Sequence, residues 1–177
     1  MPQYLVVIDM QNDFVTGSLG TVEAQAIVPN VVCHVREAID AKQTVLFTQD
    51  THQDATYLQT TEGAHLPIKH TLLGTEGWQI IPQLLPYATH TVTKPTFGSV
   101  RLVEMLREAS QAPDGKDLNI ALCGVCTDIC VVSNALLLRA HFPEATLRAY
   151  RDACAGSTPE KHDAALAVMQ SCHVDIV

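Results

Sequence analysis

Short runs of apolar, often β-branched residues recur along this chain without polar residues at alternate positions, and they narrow the possible folds more than any other feature. Tyr4-Leu-Val-Val-Ile8 ends at Asp9, Thr44-Val-Leu-Phe-Thr48 ends at Gln49-Asp50, and Leu118 to Leu122 leads to Gly124. A strand with one wet face alternates polar and apolar residues, whereas an unbroken run belongs to a strand covered on both faces, as in a parallel sheet. Between the runs the period becomes helical. Ile27, Val31, Val35, Ala38 and Ile39 recur at helical spacing between about Val22 and Ala41, and Ser99 to Ala109, Val131 to Arg139 and Pro159 to Gln170 also read as helices. Thr89 to Thr93, Ala145 to Tyr150 and His173 to Val177 complete a set of six expected strands. This alternation specifies an α/β fold with a mostly parallel sheet and helices on both faces. Residues 51–88 lack a clear period and contain Gly63, Pro67, Gly74, Gly77, Pro82 and Pro86, so they read as a long functional loop. With no repeat and no linker, residues 1–177 are expected to form one domain.

Charge and composition exclude several functions. The net charge is −8 and no basic cluster stands against it, which argues against nucleic acid and anionic membrane surfaces as partners. No stretch approaches the roughly 20 apolar residues of a membrane span. Met1-Pro-Gln-Tyr4 enters the first run with no basic leader, and the six cysteines lie in apolar elements rather than at loop staples. Reduced thiols in a cytoplasmic protein are therefore expected.

In open α/β sheets, ligands bind outside the carboxyl ends of the strands. Asp9, Asp50 and Lys94 stand at the ends of the first three strands, and Cys130 follows the fourth. Gly124 breaks the fourth run and Thr127-Asp128 suits a helix start, so Cys130 falls at a strand-to-helix junction. Backbone N–H groups and the helix dipole there favour a thiolate, and the same N–H groups can bind an oxyanion. Cys130 is thus a candidate nucleophile and Asp9 a candidate general base, with Lys94 holding both by charge. Asp13 competes for the role of base. Asp9 is preferred because it directly ends the apolar run, and Asp13 is expected to fix the loop. A Cys–His pairing also stays open.

A second cluster lies nearby. In an extended Asp50-Thr-His52 segment both outer side chains share one face. One further ligand from His65, His70 or Glu62 would make a nitrogen and oxygen set with open positions, typical of a catalytic metal. Zinc is the expected ion, with manganese or iron(II) as alternatives. Cys126 and Cys130 are spaced i, i+4 with no second pair of ligand spacing, and Cys33, Cys123, Cys154 and Cys172 are read as packing residues. His34, His90, His141, His162 and His173 receive no role.

Asp9-Met-Gln-Asn-Asp-Phe14, Lys94-Pro-Thr-Phe-Gly-Ser99 and Gly124-Val-Cys-Thr-Asp-Ile-Cys130 resemble the signature blocks of the isochorismatase-like cysteine hydrolases. Asp50-Thr-His52 and Leu66-Pro-Ile-Lys-His70 resemble the metal-binding blocks of the family's nicotinamidase/pyrazinamidase branch. The resemblance runs through essentially the whole chain in the family's order. It implies a three-layer α/β/α sandwich on a six-stranded parallel sheet of order 3-2-1-4-5-6, in dimers or larger homo-oligomers. It implies a triad of Asp9, Lys94 and Cys130, and a metal held by Asp50, His52 and His70, with Glu62 matching an acidic ligand of some members. It also implies a cis peptide between Val125 and Cys126, and an oxyanion hole from the N–H groups of Cys126 and Cys130. The implied reaction is metal-assisted hydrolysis of nicotinamide to nicotinic acid and ammonia through a thioester, with pyrazinamide as an analogue substrate. Another small amide or enol-ether substrate is the alternative. Phe14 is a candidate wall for the ring, with Phe97 and Trp78 behind it.

Overall fold

The computed structural model describes residues 4–177. The segment Met1–Gln3, read above as leading into the first strand, lies outside the described residues. In chain order the regular elements are β1 (Tyr4–Ile8), α1 (Asn12–Val15), α2 (Val22–Ala26), α3 (Val28–Asp40), β2 (Thr44–Asp50), α4 (Thr61–His65), β3 (Thr91–Lys94), α5 (Val100–Ala109), β4 (Asn119–Val125), a π-turn (Thr127–Val131), α6 (Val132–His141), β5 (Thr146–Ala155), α7 (Pro159–Ser171) and β6 (Asp175–Ile176). The strands form one parallel sheet in the order β3-β2-β1-β4-β5-β6, as expected.

The unbroken runs are explained by this order. β1 is paired on both edges and covered on both faces, so Val6, Val7 and Ile8 are wholly buried, each aliphatic contributing about 1.5–3 kcal/mol. α3 turns Val28, Val31, Val35 and Ala38 inward, one apolar stripe at helical period. α5, α6 and α7 pack beside one another, and right-handed crossovers place them on the face opposite α3, giving three layers. The chain reverses direction between β1 and β4, and a crevice opens at their carboxyl ends.

Several expected boundaries differ. The single helix from Val22 to Ala41 is two, because Pro29 has no N–H to donate and sits in the first turn of α3. Gly124 does not break the fourth strand. It lies within β4 at φ 118°, where an added Cβ would fall 2.8 Å from Ile8 N, so glycine is what lets β4 close on β1 beside the site. The register slips between β4 and β5 just past Leu122, which lets Arg151 and Asp152 protrude while β5 resumes to Ala155. The helix expected from Thr127 begins as a π-turn, a feature common at functional sites. Cys33 is exposed rather than packed, and all six cysteines are free. Among the described residues no helix is long and apolar enough to cross a membrane.

Candidate active site

Asp9 emerges from β1 at φ 48°, a left-handed conformation that costs a residue with a side chain about 1–3 kcal/mol. Its N–H donates to Thr48 Oγ1 at 3.2 Å, and that hydroxyl donates back to Asp9 Oδ1 at 2.7 Å. Lys94, at the end of β3, reaches across the end of β2 to lie 2.7 Å from Asp9 Oδ2, 3.4 Å from Asp50 Oδ1 and 3.5 Å from Cys130 Sγ. All four side chains are buried. The three residues expected to act together are therefore brought together.

Their charge states follow from burial and from one another. Desolvation raises the Asp9 carboxyl above its usual range, opposed chiefly by the Lys94 ammonium. Desolvation disfavours the Lys94 charge, but Asp9, then Cys130 and Asp50, outweigh it and hold the ammonium protonated. Burial, then the Asp9 charge, pushes the Cys130 thiol well above its ordinary value, with Lys94 pulling the other way. Burial and the Asp9 carboxylate thus oppose the thiolate that the helix junction and Lys94 favour.

Asp50, His52 and His70 converge beside this cluster, and half-buried Glu62 closes it. His52 Nε2 is 3.0 Å from Asp50 Oδ2 and 3.6 Å from Glu62 Oε2. His70 Nε2 is 3.4 Å from Glu62 Oε1 and 3.7 Å from Asp50 Oδ2. Four ligands on a tetrahedral zinc lie about 3.4 Å apart, so the set has the spacing of one ion's shell. His52 Nε2 is buried and makes no well-directed hydrogen bond, as a free ligand atom would. Burial works against a charge on His52, yet Asp50 and then Glu62 draw its pKa up to about 9. Burial likewise opposes the Glu62 carboxylate, while His52 and His70 bring it down to about 2. Those same negative charges favour a cation at this point.

The local fold explains the convergence. His52 pairs with Leu72 in an isolated parallel bridge, which sets His70 beside it. His70 Nδ1 is 2.9 Å from Ile68 O and 3.3 Å from the buried Tyr57 hydroxyl, so Nε2 is left to face the cluster. Thr60 caps α4 through Gly63 N, which fixes Glu62 in the first helical turn. His65 Nδ1 donates to Thr61 O at 2.8 Å instead, and His65 stays out of the ligand set.

A cavity of about 830 Å³ joins the two clusters, lined by Cys126, Cys130, Asp50, His52 and Glu62 within and by Phe14, Phe97 and Lys161 around them. Phe14 lies 5.5 Å from the His70 ring, and the Val125–Cys126 peptide is cis. Trp78 does not line the cavity. Its indole N–H donates to Thr51 Oγ1, and its carbonyl accepts from Gln11 and Gln49, so it is a brace for the loop. Gln11 received no role from the sequence, whereas Asp13 fixes the loop, as expected. Gln11 is wholly buried. Its amide donates to Asp50 O at 2.9 Å and accepts from Asp50 N at 2.7 Å, while Asp13 Oδ2 accepts from Thr71 N next to His70. The available signal was a polar cluster, Gln11-Asn-Asp13, directly after a buried strand.

A doubly wound sheet with a thiol, a carboxylate and an ammonium at its strand ends defines a hydrolytic enzyme. The chain belongs to the isochorismatase family, whose profile, described as Isochorismatase domain, matches residues 3–177. Among curated protein sequences none matches. The chain is similar to the pyrazinamidase of Pyrococcus horikoshii solved in complex with zinc, at 26% identity over 98% of this chain and 97% of that one, with a TM-score of 0.83. It is similar to the nicotinamidase of Bacillus subtilis at 26% identity, over 100% and 99% of the two chains, with a TM-score of 0.84. The fold is shared with an N-carbamoylsarcosine amidase from Thermoplasma acidophilum at 22% identity, over 99% and 95% of the chains, with a TM-score of 0.76.

Proposed function

We propose that this chain hydrolyses the carboxamide of nicotinamide to nicotinic acid and ammonia, with pyrazinamide as an analogue substrate. The observation that carries the reading is a buried thiol, set beside a carboxylate–ammonium pair, that lines the same cavity as Asp50, His52 and Glu62, where His70 completes a candidate cation site. The similarity to a nicotinamidase and to a zinc-containing pyrazinamidase supports it.

Asp9 takes the Cys130 proton as the sulfur attacks the amide carbon. The N–H groups of Cys126 and Cys130 hold the resulting oxyanion. Asp9 then protonates the amide nitrogen, ammonia leaves and a thioester remains. Water, deprotonated by the same carboxylate, attacks the thioester and releases nicotinic acid, returning the proton to sulfur. Lys94 keeps Asp9 ionised in a site that would otherwise neutralise it. Phe14 and Phe97 wall the ring. A divalent ion, zinc first with manganese or iron(II) as alternatives, would be held by Asp50, His52, His70 and Glu62 and would supply a Lewis acid for a ring nitrogen. The working unit is a single domain over residues 1–177, acting in the cytoplasm as a homo-oligomer.

Ammonia release from nicotinamide tests this directly. The wild type turns over, removal of metal by a chelator suppresses turnover, and Cys130→Ala abolishes it. Undiminished release by Cys130→Ala overturns the nucleophile. No release by metal-loaded wild type moves the substrate to another small amide or an enol ether.

A further inference from the structure

One histidine touches the nucleophile's turn from outside the cavity. Thr127 opens the π-turn directly after Cys126, is wholly buried, and places Oγ1 2.8 Å from His162 Nδ1 on α7. His162 is held there by its own helix. Its N–H donates to Thr158 O at 2.9 Å, and the Thr158 hydroxyl caps the turn. The preceding connection is tight, since a Cβ on Gly156 would come within 2.8 Å of His162 N. The next residue of the turn, Asp128, accepts from both the N–H and the hydroxyl of Ser157 at 2.7 Å each. At the far end, buried Asn134 donates to Cys130 O at 2.8 Å. The turn is therefore gripped at its start from the α7 side and at its end from α6.

We infer that His162 is a positioning residue, acting through Thr127 to fix the turn that presents Cys130 and the Cys126 N–H to the substrate. The inference rests on Cys130 being the nucleophile. The contact joins the threonine hydroxyl to Nδ1 of an imidazole that, in its neutral form, accepts from it or, as the other tautomer, donates to it. Burial, and then the charge of Arg151, hold His162 below its ordinary pKa against the opposing charges of Asp163 and Asp128, which favours that neutral form. Asp163 is itself ion-paired with Arg151. Loss of the contact frees the entry of the turn while leaving the cation site, on the other side of the cavity, intact.

The test compares His162→Leu and Thr127→Val with the conservative His162→Asn and Thr127→Ser. Two readouts are taken: kcat and KM for nicotinamide, and the rate of Cys130 alkylation by iodoacetamide, followed on the Cys130 peptide by mass spectrometry. A displacement near 1 Å at a reacting atom costs about 100-fold, so the two apolar variants are expected to lose about 10- to 100-fold in kcat and in alkylation, with KM within about 2-fold. The conservative variants should stay within about 3-fold, and the double apolar variant should lose no more than either single one. Wild-type rates in folded His162→Leu or Thr127→Val overturn the inference, as do losses that multiply in the double variant. If His162→Leu does not fold, the isosteric Thr127→Val decides alone. Alkylation needs no substrate, so a wild type inactive on nicotinamide would end the proposed function and leave this test standing.

Discussion

Asp9 ends the buried strand β1 and Lys94 the edge strand β3, whereas three of the four groups of the candidate cation site, His52, Glu62 and His70, lie in the long connection between β2 and β3. The first cluster inherits its geometry from the sheet. Register fixes where β1, β3 and β4 end, and Lys94 spans the remaining gap. The second cluster has to be assembled from caps and single contacts, among them Thr60 on α4, Tyr57 on His70, and Asp13 on Thr71. Asp50 belongs to both, touching Lys94 on one side and His52 on the other. The thiol, carboxylate and ammonium thus take their places from the sheet, and the candidate cation site from side chains fixed one contact at a time.

The sharpest way to separate the two clusters is to damage each alone. Asp9→Asn should lower kcat by roughly 1,000-fold or more, because proton transfer both to and from sulfur is lost. Zinc affinity by calorimetry should stay within about 3-fold, and a comparable loss of zinc binding would mean that the clusters are one unit. His70→Ala should do the reverse. It removes a ligand and should weaken zinc binding by at least about 100-fold, while the alkylation rate of Cys130 in the metal-free protein changes by less than about 2-fold. A collapse of Cys130 reactivity in that variant would break the division of labour. The smallest effect is on pH. Asp9 must be ionised to take the thiol proton, and burial raises its carboxyl above 3.8. The rate kcat/KM should therefore fall as pH drops through that raised value and hold steady above it. Lys94→Met, which removes the stabilising ammonium, should carry the falling limb to higher pH. A limb that stays in place would show that Lys94 does not set the charge of Asp9.

The same contrast explains what could be read in the sequence. The strand–helix alternation and the placing of Asp9, Lys94 and Cys130 at strand ends were legible, because covered strands write themselves as apolar runs and strand ends are where side chains escape, whereas strand order came from the resemblance. The choice among His65, His70 and Glu62 stayed open in the residues themselves, since a loop ligand carries no period, and the resemblance pointed to His70. Trp78 misled because an aromatic in a loop looks like a pocket wall, yet its N–H found Thr51. The burial and nearby carboxylates that oppose a Cys130 thiolate do not appear in a local pattern. Gln11 and His162 went unread because each acts through a partner distant in sequence, Asp50 and Thr127.

Gln11 has one more consequence. By meeting both the N–H and the carbonyl of Asp50, its side chain adds a rung to the sheet after β1 has ended, and a third bond ties that rung to Trp78 O. Local opening of the stretch after β2 would therefore have to break a bond in the heart of the sheet, which is its most cooperative part. Although it looks like a loop, this stretch should unfold together with the central strands and not before them.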